Sequence, residues 1–538
     1  MKADRIFVNG SIAYTGRSEP RTQAIAAWHG HVVVVGPDDE VLALRGPSTE
    51  VIDLRGRLVL PGFTDSHVHF LSFSLQHTGR LVDLREARSL AEALDVMRQW
   101  AGRSAEGDWI RGGGWDKNRW TTDPSVRAAG AFPTRWDLDA VAPRNPVFLS
   151  NKDGHSAWVN SRALAAAGMT RETRAPEGGA ILRDASGEPT GILQDAAIGL
   201  VAKHLPAFSA SQQREALVAG AEAANALGLT GIHNCEGAEV LACCEELTRR
   251  GQLSLRVVSY LPGEALEHAS RCGLRSGFGD EWHRVGGLKL FVDGALGSQT
   301  AAMLEPLEAS ENRGLLQVSP EELASFVRRA AEAGLSCAIH AIGDRANRLA
   351  LDAFEGMQEL SAHHRLRQRI EHAQHLTEED LPRFARLGVT ASMQPIHVPG
   401  DIDMAERHLG SRCRWAYPFG SLLRSGANVA FGSDAPVESL DPLAGIAAAV
   451  NRQRPDGTPA GGWHPEERVS VEEAVQCYTL GAAVAAGKER DEGSLHVGKL
   501  ADLVVLSDDI FAMPAARLNE ARVVLTVVGG EVVFWGEG

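Results

Sequence analysis

Leu60-Pro-Gly-Phe-Thr-Asp-Ser-His-Val-His69 is the stretch on which the reading of this chain turns. Residues two apart on an extended strand share a face, so His67 and His69 can aim both imidazoles at one centre. Imidazole is a borderline ligand suited to zinc, iron or manganese. Alone, a His-x-His pair is equally readable as two solvated or hydrogen-bonded rings. Four further residues change its weight. Lys289 sits in Gly-Gly-Leu-Lys-Leu-Phe-Val-Asp293 and His340 ends Ser-Cys-Ala-Ile-His340. His372 closes Arg-Ile-Glu-His372, and Asp434 closes Val-Ala-Phe-Gly-Ser-Asp434. All lie in or at the end of short, largely apolar runs that suit buried strands. Ligands on successive strand ends are what a (β/α)8 barrel offers, because its active site forms at the C-terminal rim.

Each residue also has a plainer reading. Lys289 could snorkel from a sheet edge, His340 and His372 could be core histidines bonded to backbone, and Asp434 could cap a helix. Together those readings need five coincidences at five strand ends, in the order His-x-His, Lys, His, His, Asp. A buried lysine amine, by contrast, is nucleophilic. It can capture carbon dioxide as a carbamate, which turns a cation into an anion able to bridge two metal ions.

Eight strand candidates can be counted outward from His67. After its own strand come Leu229-Thr-Gly-Ile-His-Asn and Leu255-Arg-Val-Val-Ser-Tyr, then the Lys289, His340 and His372 runs, Val389-Thr-Ala-Ser-Met-Gln394, and the Asp434 run. Helical stretches such as Pro320 to Ala333 and Leu349 to Leu360 intervene. Capping-box spacing is met at Ser319-x-x-Glu322, Thr377-x-x-Asp380 and Ser470-x-x-Glu473. This alternation predicts an α/β fold, a TIM barrel of parallel strands and crossover helices. Both termini instead read as short strands, with turn signals at Asn9-Gly10 and His29-Gly30. The expected organisation is a small β-sandwich domain built from residues 1–57 and 488–538, with the barrel over 58–487. A large insertion, about 75–210, follows the first barrel strand. It carries Trp109-Ile-Arg-Gly-Gly-Gly-Trp-Asp116 and Val147-Phe-Leu-Ser-Asn-Lys-Asp-Gly-His155. Insertions this long on a barrel rim usually serve as lids or substrate-binding pieces. Gly112-Gly-Gly114 lacks the Lys-Ser/Thr of a phosphate loop.

The chain has 538 residues, 44% hydrophobic and 23% charged, enough to bury a large core. Lys plus Arg is 54 against 69 Asp plus Glu, a net −15 that argues against nucleic acid. Seven scattered cysteines without C-x-x-C spacing suggest reduced thiols in the cytoplasm. No stretch has the apolar length of a membrane span.

On these motifs the chain resembles the amidohydrolase superfamily of metal-dependent hydrolases. Gly493-Ser-Leu-His-Val-Gly-Lys-Leu-Ala-Asp-Leu503, near the return to the terminal β-domain, is part of that likeness. Gly113-Gly-Trp-Asp116, Asn151-Lys-Asp-Gly-His155, the segment Lys289 to Ala301 and His340-Ala-Ile-Gly-Asp344 narrow it. They resemble the YtcJ-like branch, which includes N-substituted formamide deformylase. The resemblance implies two divalent metal ions, with zinc expected. His67, His69 and Asp434 would hold one, His340 and His372 the other, and carboxylated Lys289 would bridge them. It further implies a metal-bridging hydroxide as nucleophile, with Asp434 as general acid and base. A homodimer is a family-level expectation. Candidate substrate contacts are Trp115, Asp116 and His155 in the insertion, Gln299 in the loop after Lys289, and Gln394 at the seventh strand end. His233, His375, His397 and His408 receive no role.

The leading expectation is hydrolysis of the C–N amide bond of a small N-acyl or N-formyl compound. An esterase, lactonase or cyclic amidase on the same two-metal site, or a non-catalytic scaffold, are the alternatives. Deamination fits less well. Mononuclear deaminases that resemble this fold carry His-x-x-Glu and no bridging lysine, whereas here Ala-Ile-Gly-Asp344 follows His340.

Overall fold

All eight strand candidates form, and they lie in chain order in one sheet. In the computed structural model, which describes residues 2–15, 20–117, 120 and 132–536, they are β1 (Phe63–Val68), β2 (Leu229–Asn234), β3 (Arg256–Pro262), β4 (His283–Phe291), β5 (Ser336–Ala341), β6 (Arg369–His372), β7 (Thr390–Met393) and β8 (Val429–Phe431). Each neighbouring pair is parallel. β1, β2, β5, β6, β7 and β8 are buried along their whole length, as expected of a parallel sheet covered on one face by helices and filled on the other.

The curled sheet is joined just past its last strand. Asp434 N–H donates to the His67 carbonyl at 2.7 Å, and His69 N–H donates to the Ala435 carbonyl at 2.9 Å. The Asp65 carboxylate binds both sides of this seam, accepting from His67 N–H at 2.9 Å and from Ser433 N–H at 3.1 Å. Gly432 permits the close approach, since a Cβ there would lie 2.5 Å from His67 N and 2.6 Å from Asp65 Oδ1.

Two smaller sheets come from the chain ends. One runs His31–Gly36, Ala24–Trp28, Arg5–Val8, Glu50–Asp53; the other runs Ser11–Ile12, Leu58–Pro61, Leu503–Leu506, Val523–Val528, Glu531–Trp535. Phe7, Ile25 and Ile52 of the first sheet share a core with Val59, Leu503, Val505 and Leu525 of the second. His29 and Gly30, both at positive φ (48° and 79°), make the hairpin turn that the dipeptide predicts. Leu58–Pro61, taken from sequence as the start of the barrel segment, pairs with Leu503–Leu506 instead.

The insertion builds its own six-stranded sheet, in the order Gly179–Arg183, Pro189–Asp195, Ser156–Val159, Val147–Asn151, Ile110–Trp115, Val82–Asp83. Ser319 and Ser470 cap their helices reciprocally with Glu322 and Glu473. Thr377 and Asp380 bond to each other in a turn, and the helix begins only at Leu381. The helix expected over Leu349 to Leu360 is two, Asp344–Glu355 and Gln358–His364, parted at Gly356, a residue with little helix propensity. Among the described residues no helix is long and apolar enough to cross a membrane.

Gly432→Ala should strain the barrel seam by about 1–3 kcal/mol, the usual magnitude for overpacking. A thermal melt followed by circular dichroism should show a midpoint lower by several degrees, and an unchanged midpoint would mean the seam yields freely.

Candidate metal centre

The barrel seam brings the first and last candidate ligands together. His67 Nε2 lies 3.4 Å from Asp434 Oδ1, and His69 Nε2 lies 3.2 Å from the same oxygen. His67, His372 and Asp434 offer ligand atoms that all lie within 4.8 Å of one another. His372 and Asp434 both adopt left-handed backbone, at φ 74° and 59°. Non-glycine residues seldom do so, and such strain gathers at functional sites. At His372 the left-handed turn has a specific result. Strand alternation alone would send Glu371 inward and His372 outward, yet both side chains reach His67.

Five imidazoles then run in a row, His69, His67, His372, His340, His155, with centroid separations of 5.6, 4.9, 4.5 and 4.8 Å. Their outer nitrogens are tethered. His67 Nδ1 lies 2.5 Å from Glu371 Oε2, His372 Nδ1 lies 2.8 Å from Gln394 Oε1, and His340 Nε2 lies 3.3 Å from the Gly294 carbonyl. His155 Nδ1 lies 2.7 Å from Asp195 Oδ1. By contrast His67 Nε2, Asp434 Oδ1 and Lys289 Nζ are buried without a hydrogen-bond partner. Buried polar atoms nearly always have one. An imidazole nitrogen and a carboxylate oxygen orphaned side by side fit a divalent ion. Lys289 fits the same set only with its charge removed, because an ammonium repels a cation.

Electrostatics favour the ligating forms of His67, His340, His372 and Asp434, whereas at His69 burial is outweighed by the facing Asp434 carboxylate, which raises the ring. Burial, and then Lys289 nearby, push His67 down to about 4. Burial first, helped by neighbouring imidazoles and Lys289, holds His340 and His372 well below the ordinary histidine range. Neutral imidazole is the form that binds metal. Burial opposes ionisation of Asp434, but the facing His69 imidazole and the adjacent His67 and His372 outweigh it. The carboxyl is held well below its usual range.

Above this floor opens a cavity of about 360 Å³. His69, Lys289, His340, His372 and Asp434 line it, and the fully buried His67 lies beneath. The insertion supplies part of the wall, including Asp116, Lys152 and His155. One serine fastens that wall to the barrel: Ser298 Oγ is bonded to Asn151 Nδ2 at 3.1 Å, to Ser156 Oγ at 3.2 Å and to Asp153 Oδ2 at 2.8 Å. Lys152 reaches across the mouth to pair with Glu438.

Of the five candidate substrate contacts, Asp116 and His155 line the cavity and three do not. Trp115 is 1% exposed, donates Nε1–H to the Leu149 carbonyl at 2.9 Å and packs on Trp120 and Trp158. Alternation along its strand turns it into the insertion's core. Gln299 sits at positive φ in a turn whose carbonyl accepts from Asn312 Nδ2. Gln394 is buried against His372. Sequence reading missed Glu371, Asp195 and Ser298, whose partners are 304, 40 and 147 residues distant.

Residues 50–534 match the amidohydrolase family. The protein LONG AFTER FAR-RED 3 of Arabidopsis thaliana is 36% identical over 99% of this chain and 92% of its own length. YtcJ of Bacillus subtilis (strain 168) is 34% identical, over 98% of each chain. N-substituted formamide deformylase of Arthrobacter pascens is 29% identical, over 98% of this chain and 97% of its own. Among solved structures, an uncharacterized metal-dependent hydrolase of Pyrococcus horikoshii OT3 superposes with a TM-score of 0.76 at 28% identity, covering 95% of this chain and 99% of that one.

Placing Trp115 in the core has a measurable consequence. Trp115→Phe should lower stability by about 1–3 kcal/mol, through lost volume and a stranded carbonyl, and leave KM within about twofold. A large KM change without destabilisation would return Trp115 to the cavity.

Proposed function

The chain belongs to the amidohydrolase family, and on that premise we propose that it hydrolyses the C–N amide bond of a small, neutral N-acyl or N-formyl compound. The observation that carries this reading is the set of buried, partnerless atoms on the cavity floor: His67 Nε2, Asp434 Oδ1 and Lys289 Nζ. In it, His67, His69 and Asp434 would hold one ion and His340 and His372 the other, with zinc suited to this nitrogen and oxygen donor set. Lys289 would join this ligand set once Nζ had added to carbon dioxide and lost a proton, leaving a carbamate anion. When bound, divalent ions supply Lewis acidity toward the scissile carbonyl and acidify water for the attack.

The chain's own residues do the rest. Asp434, ionised because its neighbours favour the carboxylate, takes a proton from the attacking water and delivers it to the departing nitrogen. Amide and water thereby become acid and amine. His155, steadied by Asp195, meets the substrate from the insertion side. Phe291, Leu296 and Met404 give the cavity apolar wall. Among the described lining residues there is no arginine, and Lys152 is already paired with Glu438. A substrate carboxylate would find no ready counter-charge, which supports neutral compounds. The formamide deformylase relative supports an N-formyl or N-acyl group. Seven unpaired cysteines support a reducing, cytoplasmic setting.

Elemental analysis of protein purified without chelator should find close to two transition ions per chain. In a panel of N-formyl and N-acyl amines with matching esters and lactones, the amides should turn over fastest; preference for the esters would overturn the amide reading. Asp434→Asn should reduce kcat/KM by about 10²–10⁴-fold, the usual worth of a general acid-base.

His155→Gln should lower kcat/KM by about 10–100-fold, the loss of one strong hydrogen bond, with unchanged metal content. Wild-type kinetics in this variant would remove His155 from the substrate site.

A further inference from the structure

Beneath the cavity floor the barrel interior is polar, where such barrels usually stack branched apolar side chains in layers. Arg369 and Glu371 alternate along β6 and are both 0% exposed. Their partners lie on β1, β2, β3 and β7, so both side chains point into the barrel. Arg369 Nη1 meets His233 Nδ1 at 2.9 Å and donates to Tyr260 Oη at 3.1 Å. Its Nη2 donates to Ser392 Oγ at 2.7 Å and to the Ser66 carbonyl. Glu371 takes two bonds from the guanidinium, one from Nε and one from Nη2 at 2.9 Å. Its Oε2 also receives His67 Nδ1 at 2.5 Å.

Desolvating two charges is expensive, and an apolar pair of the same volume often serves stability as well. The pair therefore calls for a reason beyond packing. Among the described side-chain hydrogen bonds, the one that ties the pair to the candidate metal centre goes to His67, the ligand whose inward nitrogen is orphaned. A carboxylate that accepts a proton from the outer nitrogen of a ligating histidine fixes both ring orientation and tautomer.

We propose that Glu371 is a positioning residue for the ion held by His67, accepting the Nδ1 proton so that the Nε2 lone pair faces Asp434. Arg369 is the clamp that holds Glu371 on that line and balances its charge. Gln394 acts alike on His372 with a neutral amide, so the two rings are aimed by different chemistries, and the charged one serves the deeper ligand. The inference rests on the metal reading above.

The test compares the wild-type holoenzyme, Glu371→Gln, and the double variant Glu371→Gln/Arg369→Met, which leaves no unpaired buried cation if the single variant fails to fold. Each protein is titrated with dipicolinate, and retained metal is measured by elemental analysis; cobalt-loaded samples give absorption spectra. Retention of the first ion lost should weaken about 10–100-fold in the folded variants, the usual cost of removing such a partner, with a changed cobalt spectrum. A merely structural role would lower the melting temperature and leave chelator midpoint and spectrum at wild-type values, which would overturn the proposal. A wild-type protein that binds no transition ion after reloading with zinc and bicarbonate would overturn the metal reading and this proposal together. Wild-type retention in metal-loaded variants would overturn this proposal alone.

Discussion

The pair of backbone hydrogen bonds joining β1 to the segment after β8 is the constraint on which the rest of this molecule depends. A barrel has to be joined somewhere, and here it is joined at the candidate metal ligands themselves. The His67 carbonyl and the Asp434 amide form one of the two bonds, while the His69 amide enters the other. The chemistry of the centre and the integrity of the barrel are therefore one local problem. It explains why Gly432 and Asp65 stand beside residues they do not chemically resemble. The glycine lets two backbones touch, and the carboxylate accepts from both sides of the join. Burial pushes Asp65 up to about 7, a sign that its backbone bonds only partly offset the loss of water.

A second consequence concerns charge. The cavity floor holds Lys289 and three imidazoles that burial keeps neutral, His67, His340 and His372, against Asp434 and, one layer down, Glu371 paired with Arg369. Such an interior is tolerable only because nearly every charge has a specific counterpart; an isolated buried ion would cost several kcal/mol. Lys289 Nζ makes no hydrogen bond and lies 4.8 Å from the Phe291 ring centroid. The carbamate proposed for it would replace that unbonded ammonium with an anion.

The sequence made the barrel legible because parallel strands are buried on both faces and read as short apolar runs of fixed spacing. All six candidate ligands could be picked out because they sit at the ends of those runs, where a barrel keeps its chemistry. What escaped notice followed a different rule. Glu371 hid beside His372, since alternation allows only one of two adjacent residues to face inward, and nothing in Arg-Ile-Glu-His372 announces the left-handed turn that admits both. Trp115 misled because its neighbour Asp116 does line the cavity, and a glycine-rich strand gives no sign of which face is lined by the core. Gln394 lay at the expected strand end but spends its amide on His372. Spacing along a strand tells which residues share a face; it does not tell what the opposite strand presents to them.

The two motif segments that most narrowed the resemblance, Asn151 to His155 and Lys289 to Ala301, are far apart in sequence yet adjoin in space. Ser298 binds Asn151, Asp153 and Ser156, and Gln194 donates to the Ser298 carbonyl at 3.0 Å. Gly294 is held free of a side chain because a Cβ would lie 1.9 Å from Thr300 Oγ1 and 2.8 Å from Asp195 Oδ1. The loop that leaves β4 is thus shaped as much by the insertion as by the barrel. Asp195, at φ 48° and ψ −124°, holds a backbone conformation that few non-glycine residues adopt, and it aims His155 at the end of the imidazole row. Strain of that kind persists only where surrounding contacts over-determine it. The insertion is therefore better understood as the last wall of the site than as a lid laid over a finished one. Change on either side of the Ser298 joint should be felt in the cavity before it is felt in the stability of the barrel.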